Sequence, residues 1–371
     1  MSSIAIAYTF VTSASATLSL IASSTILYKI YKSPTKLKSP YTRFLSGLSA
    51  YDILYSLPLF VSSLASPSGT SWGSIGNIWT CNIQGFVLLL GQFGASFYNF
   101  GLCLYYLCII KYSMPDERFS YSVEPYLHAF PLVFGLFIAT YAVSTGNINP
   151  SGLNGETYFC YISPLPLRCP QDAGIDCVRG ENAPLLQWIL VFGPMMISAV
   201  GMFTALGMIC MAVREQENRM EQYVFRLRDG QPASRRSSNA NGPSRNRKVQ
   251  MQAISYVAAI AICYIPISLI VFTSSPLIAD SEGPLSIRPE IIILQGLLSP
   301  LQGLFNVIVY LRPQVCNIKR DNPERGWVES VLIAINTVDI ADNRERSRRM
   351  RRSSRHTESI GRINSRKRWM S

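Results

Sequence analysis

Seven almost uncharged apolar runs dominate this chain, each near the ~20 residues needed to cross a bilayer as a helix. They cover approximately residues 5–28, 43–65, 82–110, 126–146, 184–212, 251–273 and 290–311. Inside hydrocarbon every backbone amide must be bonded within its own segment, so a run of this length and composition is restricted to helix. With 371 residues, 48% hydrophobic and only 15% charged, the chain fits one membrane domain better than two soluble ones. The expected fold is an all-α membrane protein, a bundle of seven transmembrane helices.

The distribution of Lys and Arg tests that count. Of 34 such residues, Arg168, Arg179 and Arg288 alone fall in the loops of one side; the rest flank the other ends of the runs. Basic residues collect on the cytoplasmic side of a membrane protein, so the N-terminus is expected outside and the C-terminus in the cytoplasm. The first run has no basic stretch before it, while Lys29, Lys32, Lys36 and Lys38 follow it, which fits an anchor rather than a cleaved signal. The net charge of +12 is then mostly a cytoplasmic surface facing the anionic inner leaflet. Nucleic-acid binding would need a folded basic domain, which these low-complexity basic stretches do not suggest.

Four cysteines, Cys81, Cys160, Cys169 and Cys177, fall on the outer side, where disulfides form. They allow three pairings. No glycosylation acceptor is present, because Asn149-Pro150-Ser151 has proline in the middle. Residues 1–318 make up the expected helical domain. Within it, 214–248 forms a basic third inner loop, whose first part, 214–228, reads as a polar continuation of the fifth helix and whose remainder has a low-complexity composition. Residues 319–371 form a basic cytoplasmic tail, in which 327–338 has the pattern of an interfacial helix.

Ionisable groups at membrane depth are expensive and point to function. Asp52, about nine residues into the second run, is the one carboxylate that qualifies clearly. Gln84, Gln92, Asn99, Gln295, Gln302 and Asn306 are candidate partners or bonds between helices. Pro58, Pro194, Pro266 and Pro300 each remove a backbone hydrogen bond within a run. In "LFNVIVYLRP", Asn306 and Tyr310 lie one turn apart on one helix face, and Arg312-Pro313 marks the expected end of the run.

Together, "LSAYD" in the second run, Cys81 opening the third, Pro194 in the fifth, "CYIP" in the sixth and "NVIVY" in the seventh resemble a rhodopsin-like G-protein-coupled receptor. "YFCYI" and "FNVIVYLRP" also resemble the cyclic-AMP and secretin-like receptor groups. The resemblance covers about residues 5–318. It implies a polar-core role for Asp52, a rotamer switch at Tyr264 beside the Pro266 kink, and an inner gate at Asn306 and Tyr310. It also implies a bridge from Cys81 to Cys160, which leaves Cys169 for Cys177, and lipidation at Cys316. The chain departs from the pattern in several places. The third run ends "LYYLCIIKYSM" without the Asp/Glu-Arg-Tyr triplet, so the family's ionic lock is absent, and Val307 replaces a proline. Ala95 and Gly303 stand where the family has sodium-shell hydroxyls. Without proline at 307 the seventh helix is expected to be less distorted than the family pattern.

The implied function is transduction of an unknown extracellular ligand, at the plasma membrane, to a heterotrimeric G protein. Contacts are expected from 214–228, including Arg214, and from Arg245, Arg247 and Lys248. "RRSS" occurs twice, which makes Ser237, Ser238, Ser353 and Ser354 phosphorylation candidates. No cofactor is implied. Two histidines, His128 and His356, are too few for a metal centre of the seven-helix hydrolases, and no nucleophile has a matching base, so an enzyme is not expected. The run 290–311 lacks the lysine an opsin needs, and "GFVLLLGQF" lacks the acid of a monoamine receptor. The rival class is a seven-helix transporter or channel with Asp52 as its ion or proton site, but no internal repeat supports it. A membrane scaffold, a third class, would tolerate changes to the polar residues.

Overall fold

A computed structural model describes residues 3–153, 156–167, 169, 175–228, 251–252, 254–259, 261–263 and 288–336. Tyr264, Pro266, Arg245, Arg247, Lys248, Ser237, Ser238, Ser353 and Ser354 lie outside the described residues. The elements are α1 (Ser3–Lys32), α2 (Pro40–Val61), α3 (Ile78–Ile110), α4 (Asp116–Ser122), α5 (Glu124–Ser144), β1 (Ile148–Leu153), β2 (Glu156–Ile162), α6 (Ala183–Leu186) and α7 (Gly193–Arg228). After these come the apolar helical segment α8 (Ile254–Cys263), then α9 (Pro289–Leu298), α10 (Gln302–Asp321) and α11 (Trp327–Asn336). Among the described residues six helical stretches are long and apolar enough to cross a membrane, and α8 supplies a shorter one. The fold is that of a multi-pass membrane protein.

Local chemistry explains the ends of the helices. The Ser39 side chain accepts the Thr42 amide and Pro40 takes the first turn of α2, where its missing N–H costs nothing. Asn77 and Thr80 form a reciprocal capping box at the start of α3. The α3 helix is central, with buried residues around most of its circumference. It meets α2 almost backbone to backbone. A Cβ on Gly91 would stand 2.3 Å from the Tyr55 amide nitrogen, and one on Gly94 would enter the Tyr51 ring. Small residues at such crossings let membrane helices approach closely. By contrast α5 and α7 turn Phe130, Val133, Phe137, Ile197, Val200 and Phe203 outward, an apolar surface that only lipid would cover without cost.

Several features differ from the sequence expectations. The connection after α3 contains the helix α4. The long loop after α5 begins with an antiparallel hairpin, in which Asn149 pairs with Tyr161 and Pro150 with Cys160. Pro131 adds a further proline inside a span. The largest departure is in the last span. Pro313 does not end it; α10 runs on to Asp321, because Val315 and Ile318 beyond the proline are still buried in the core. The distortion sits upstream instead, where Ser299–Leu301 tightens into a 3-10 turn around Pro300 between α9 and α10. From Gln302 through Val307 and onward the helix is unbroken.

Candidate functional site

Midway along the bundle, α2 directs Asp52 inward with 1% of its surface exposed, and α10 brings Asn306, fully buried, to meet it. The Asn306 Nδ2 donates to Asp52 Oδ2 at 2.7 Å. The sequence pairing of these two residues is thus a direct contact. On the same helices and on α1 and α3, further buried polar atoms have no hydrogen-bond partner in the protein: Ser23 Oγ, Ser49 Oγ, Asp52 Oδ1, Asn99 Oδ1, Asn306 Oδ1 and both ends of the Gln302 amide. Each such atom costs ~1–3 kcal/mol if left dry. Their concentration on α1, α2, α3 and α10 marks a polar chamber inside an apolar bundle. Where Gly303 lacks a side chain, α10 closes on α1: a Cβ there would come within 2.5 Å of both Ser19 Oγ and Ser23 Oγ. Serine hydroxyls of α1 therefore meet α10 beside Gly303, three residues before Asn306, and Ser56 of α2 donates to Ser19 at 3.0 Å. Tyr55, one turn beyond Asp52, hydrogen-bonds Ser299 at the 3-10 turn.

The remaining amides do other work. Gln84 Nε2 donates to the carbonyls of Pro58 and Ser62 at 2.9 and 2.6 Å, while its Oε1 accepts the Cys160 amide at 2.9 Å. Gln92 accepts from the Tyr161 hydroxyl at 2.5 Å, and Gln295 from the Tyr8 hydroxyl at 3.1 Å. All three lie toward the hairpin, so they fasten that end of the bundle rather than serve Asp52. The disulfides complete it: Cys81 pairs with Cys160, joining α3 to β2, and Cys169 pairs with Cys177. Tyr158 of β2 stacks on Tyr8 with ring centroids 4.3 Å apart, and burial pushes its phenol up to about 12. A cavity of about 610 Å³ opens at the same end, between α5 and α6, and is bordered by Tyr141, Asn147, Arg179 and Glu181. It stands apart from the Asp52 chamber.

Tyr310 follows a different course from Asn306. It does not hydrogen-bond Asp52; the Lys29 ammonium lies 5.7 Å from its ring centroid, and its phenol is within electrostatic reach of Tyr41 and Tyr256. Lys29 is itself buried, held by Gln314 Oε1 at 2.8 Å and by the Ala334 carbonyl, which draws α11 back against α10. Cys316 is exposed on α10 and Arg214 is exposed on α7.

One cluster at this far end had no signal in the sequence. Arg43 at the start of α2 donates to both carboxylate oxygens of Glu124, at 2.5 and 2.7 Å, and to Ser120 and the carbonyls of Leu37 and Lys38. His128, one turn along α5, reaches Glu124 at 3.2 Å and the Tyr98 hydroxyl at 2.7 Å, and stacks on Phe44. Nearby, Tyr105 donates to Asp116 of α4 at 3.1 Å. Glu124 falls just ahead of the fourth apolar run, and nothing local to it names Arg43, 81 residues away, as its partner. Among the described residues no group of three or more His, Cys, Asp or Glu could hold a metal ion.

With this arrangement in hand, comparison with known proteins separates fold from sequence. No family model and no curated protein matches the sequence. The structure is similar to a crystal structure of squid rhodopsin, with a TM-score of 0.58 over 87% of this chain and 82% of that one, at 16% identity. The fold is that of a seven-helix rhodopsin. At such low identity the likeness is one of architecture, and it agrees with the resemblance carried by "LSAYD", Cys81 and "NVIVY".

Proposed function

We propose that the chain is a cell-surface G-protein-coupled receptor that passes the binding of an extracellular ligand to a heterotrimeric G protein. The observation that carries this reading is the Asp52–Asn306 hydrogen bond inside a chamber of unpartnered polar atoms, on a rhodopsin fold. Such a chamber is a poor stabiliser. A second packing of α2 against α10 can pair its polar atoms differently, which is the property a two-state element requires. A ligand at the disulfide end, bound among the third, fifth, sixth and seventh spans beneath the stapled loop, would act through its differing affinity for the two packings.

In this reading the disulfide end faces outward and the basic end faces the cytoplasm and its anionic lipids. Pro266 lets the inner half of the sixth span swing, with Tyr264 turning beside it. The G protein meets Arg214 and the segment Arg245, Arg247 and Lys248. Cys316, exposed ten residues beyond Asn306, is the acylation candidate, and Ser237, Ser238, Ser353 and Ser354 are the phosphorylation candidates on the basic segments.

Co-expression with a promiscuous heterotrimeric G protein and a ligand screen tests the proposal. Nucleotide exchange that rises with a ligand and falls in Asp52→Ala and Tyr310→Ala supports it. Unchanged signalling in both variants at normal surface expression would overturn it. Solute uptake by proteoliposomes lacking any G protein would transfer Asp52 to the transporter reading.

A further inference from the structure

In the last turns of α3, Tyr105-Tyr106 stand where the receptor pattern would place a charged triplet, and the structure shows what surrounds those phenols. Gln252, just ahead of α8, donates from Nε2 to the Tyr41 hydroxyl of α2 at 2.8 Å. That hydroxyl lies 3.3 Å from the Tyr256 hydroxyl of α8. The Tyr106 ring of α3 packs on the Tyr41 ring with centroids 6.2 Å apart. Tyr256 and Tyr106 are 1% and 5% exposed, while Tyr41 and Gln252 are half-buried at the rim of the cluster. Tyr310 of α10 faces the same group, and Arg312 donates to Ser255 of α8 at 3.0 Å. Four helices thus meet at the far end, through hydroxyls, one amide and rings.

We propose that this tyrosine–glutamine cluster is an uncharged lock that holds the end of α8 against α2, α3 and α10, with Tyr41 and Gln252 as its positioning residues. It rests on the receptor reading for its consequence, since α8 is the inner part of the span expected to swing, but not for its geometry. The chemistry suits a lock that opens readily. A neutral hydrogen bond makes a small net contribution, whereas breaking a buried ion pair leaves an uncompensated charge. When α8 moves out, each phenol and the Gln252 amide can turn to water or to an incoming partner, and no buried charge is stranded. Arg43, the strong cation nearby, is already committed to Glu124 and stays out of the lock. Tyr41 is the hinge pin because its one hydroxyl serves both α8 contacts.

The test is a spin-label distance between Met251 and Tyr112, both exposed, each replaced by Cys, in full-length protein in nanodiscs with Cys210→Ser and Cys316→Ser. Tyr41→Phe keeps the ring and removes both hydrogen bonds. It is expected to shift the distance distribution toward longer separations, with a smaller shift for Tyr256→Phe, and to raise basal nucleotide exchange on a co-reconstituted G protein severalfold. A distribution that Tyr41→Phe/Gln252→Leu leaves unchanged overturns the lock, even where ligand-driven exchange persists and the receptor reading stands. A shifted distribution with no exchange on any G protein keeps the lock and removes the receptor reading. Should the double variant not fold, Tyr256→Phe alone decides by the same distances.

Discussion

The two ends of the bundle are closed by different chemistry. At the hairpin end the ties are covalent or multiply hydrogen-bonded: Cys81–Cys160 joins α3 to β2, and Gln84 joins α2, α3 and β2 through three bonds. At the far end the ties among the described residues are non-covalent: a phenol on Gln252, Arg312 on Ser255, and the ion pair of Arg43 with Glu124. A disulfide cannot be exchanged for water, but a phenol's hydrogen bond can. The difference concentrates any change of packing at the far end, while the hairpin end serves as the fixed frame.

This contrast can be broken or sharpened by experiment. The largest loss is expected from Cys81→Ser, since the bridge closes a separation of 79 residues. Loop entropy sets an upper bound of about 4.5 kcal/mol, and helices that persist in the membrane shorten the effective loop. Cys169→Ser opens a separation of only 8 residues and should cost less, at most about 2.5 kcal/mol. Thermal unfolding in detergent under non-reducing conditions ranks the two. Reversal of that order would mean that the hairpin is held mainly by its packing.

Next comes Gln84→Leu, which strands the buried Cys160 amide and should cost about 1–3 kcal/mol in the same assay. A loss indistinguishable from zero would remove the amide from the frame. At the far end, Glu124→Gln should cost about 1–2 kcal/mol, because Glu124 is buried but the Arg43 side chain is 28% exposed and partly screened. A double-mutant cycle with Arg43→Gln isolates the pair. Coupling greater than the effect of Cys81→Ser would invert the comparison between ends. The smallest change is Tyr8→Phe, which loses one bond to Gln295 but keeps the stack on Tyr158; a drop of about 1 kcal/mol or less is expected.

Much of this architecture was legible in the chain. Length and apolarity located the spans, and Asp52 and Asn306 stood out because a carboxylate and an amide are costly in hydrocarbon. Their meeting followed from their depths in two helices. Tyr310 shows the limit of that reasoning. It lies one turn from Asn306 on the same face, yet a turn also advances ~5.4 Å along the axis. That advance carries it to Lys29 and the phenols. The Arg43–Glu124–His128–Tyr98 group was illegible for a related reason: it depends on three helices crossing at one level, and no periodicity within any of them encodes the crossing.

By itself the sequence determined that the chain is a bundle of membrane-length helices with a cysteine-rich face and a basic face. Those properties follow from hydrophobicity summed along each segment, and local capping residues such as Ser39 and Asn77 set where helices begin. The tertiary structure alone decided that the last helix passes through Pro313 and tightens at Pro300. It alone decided that the serines of α1 meet α10 at Gly303, and that phenols gather at the far end. Each of those outcomes turns on which residues from distant segments share one depth and one face. Such proximity is set by helix crossings and small-residue contacts like Gly91 and Gly303, and it exists only once the helices have packed.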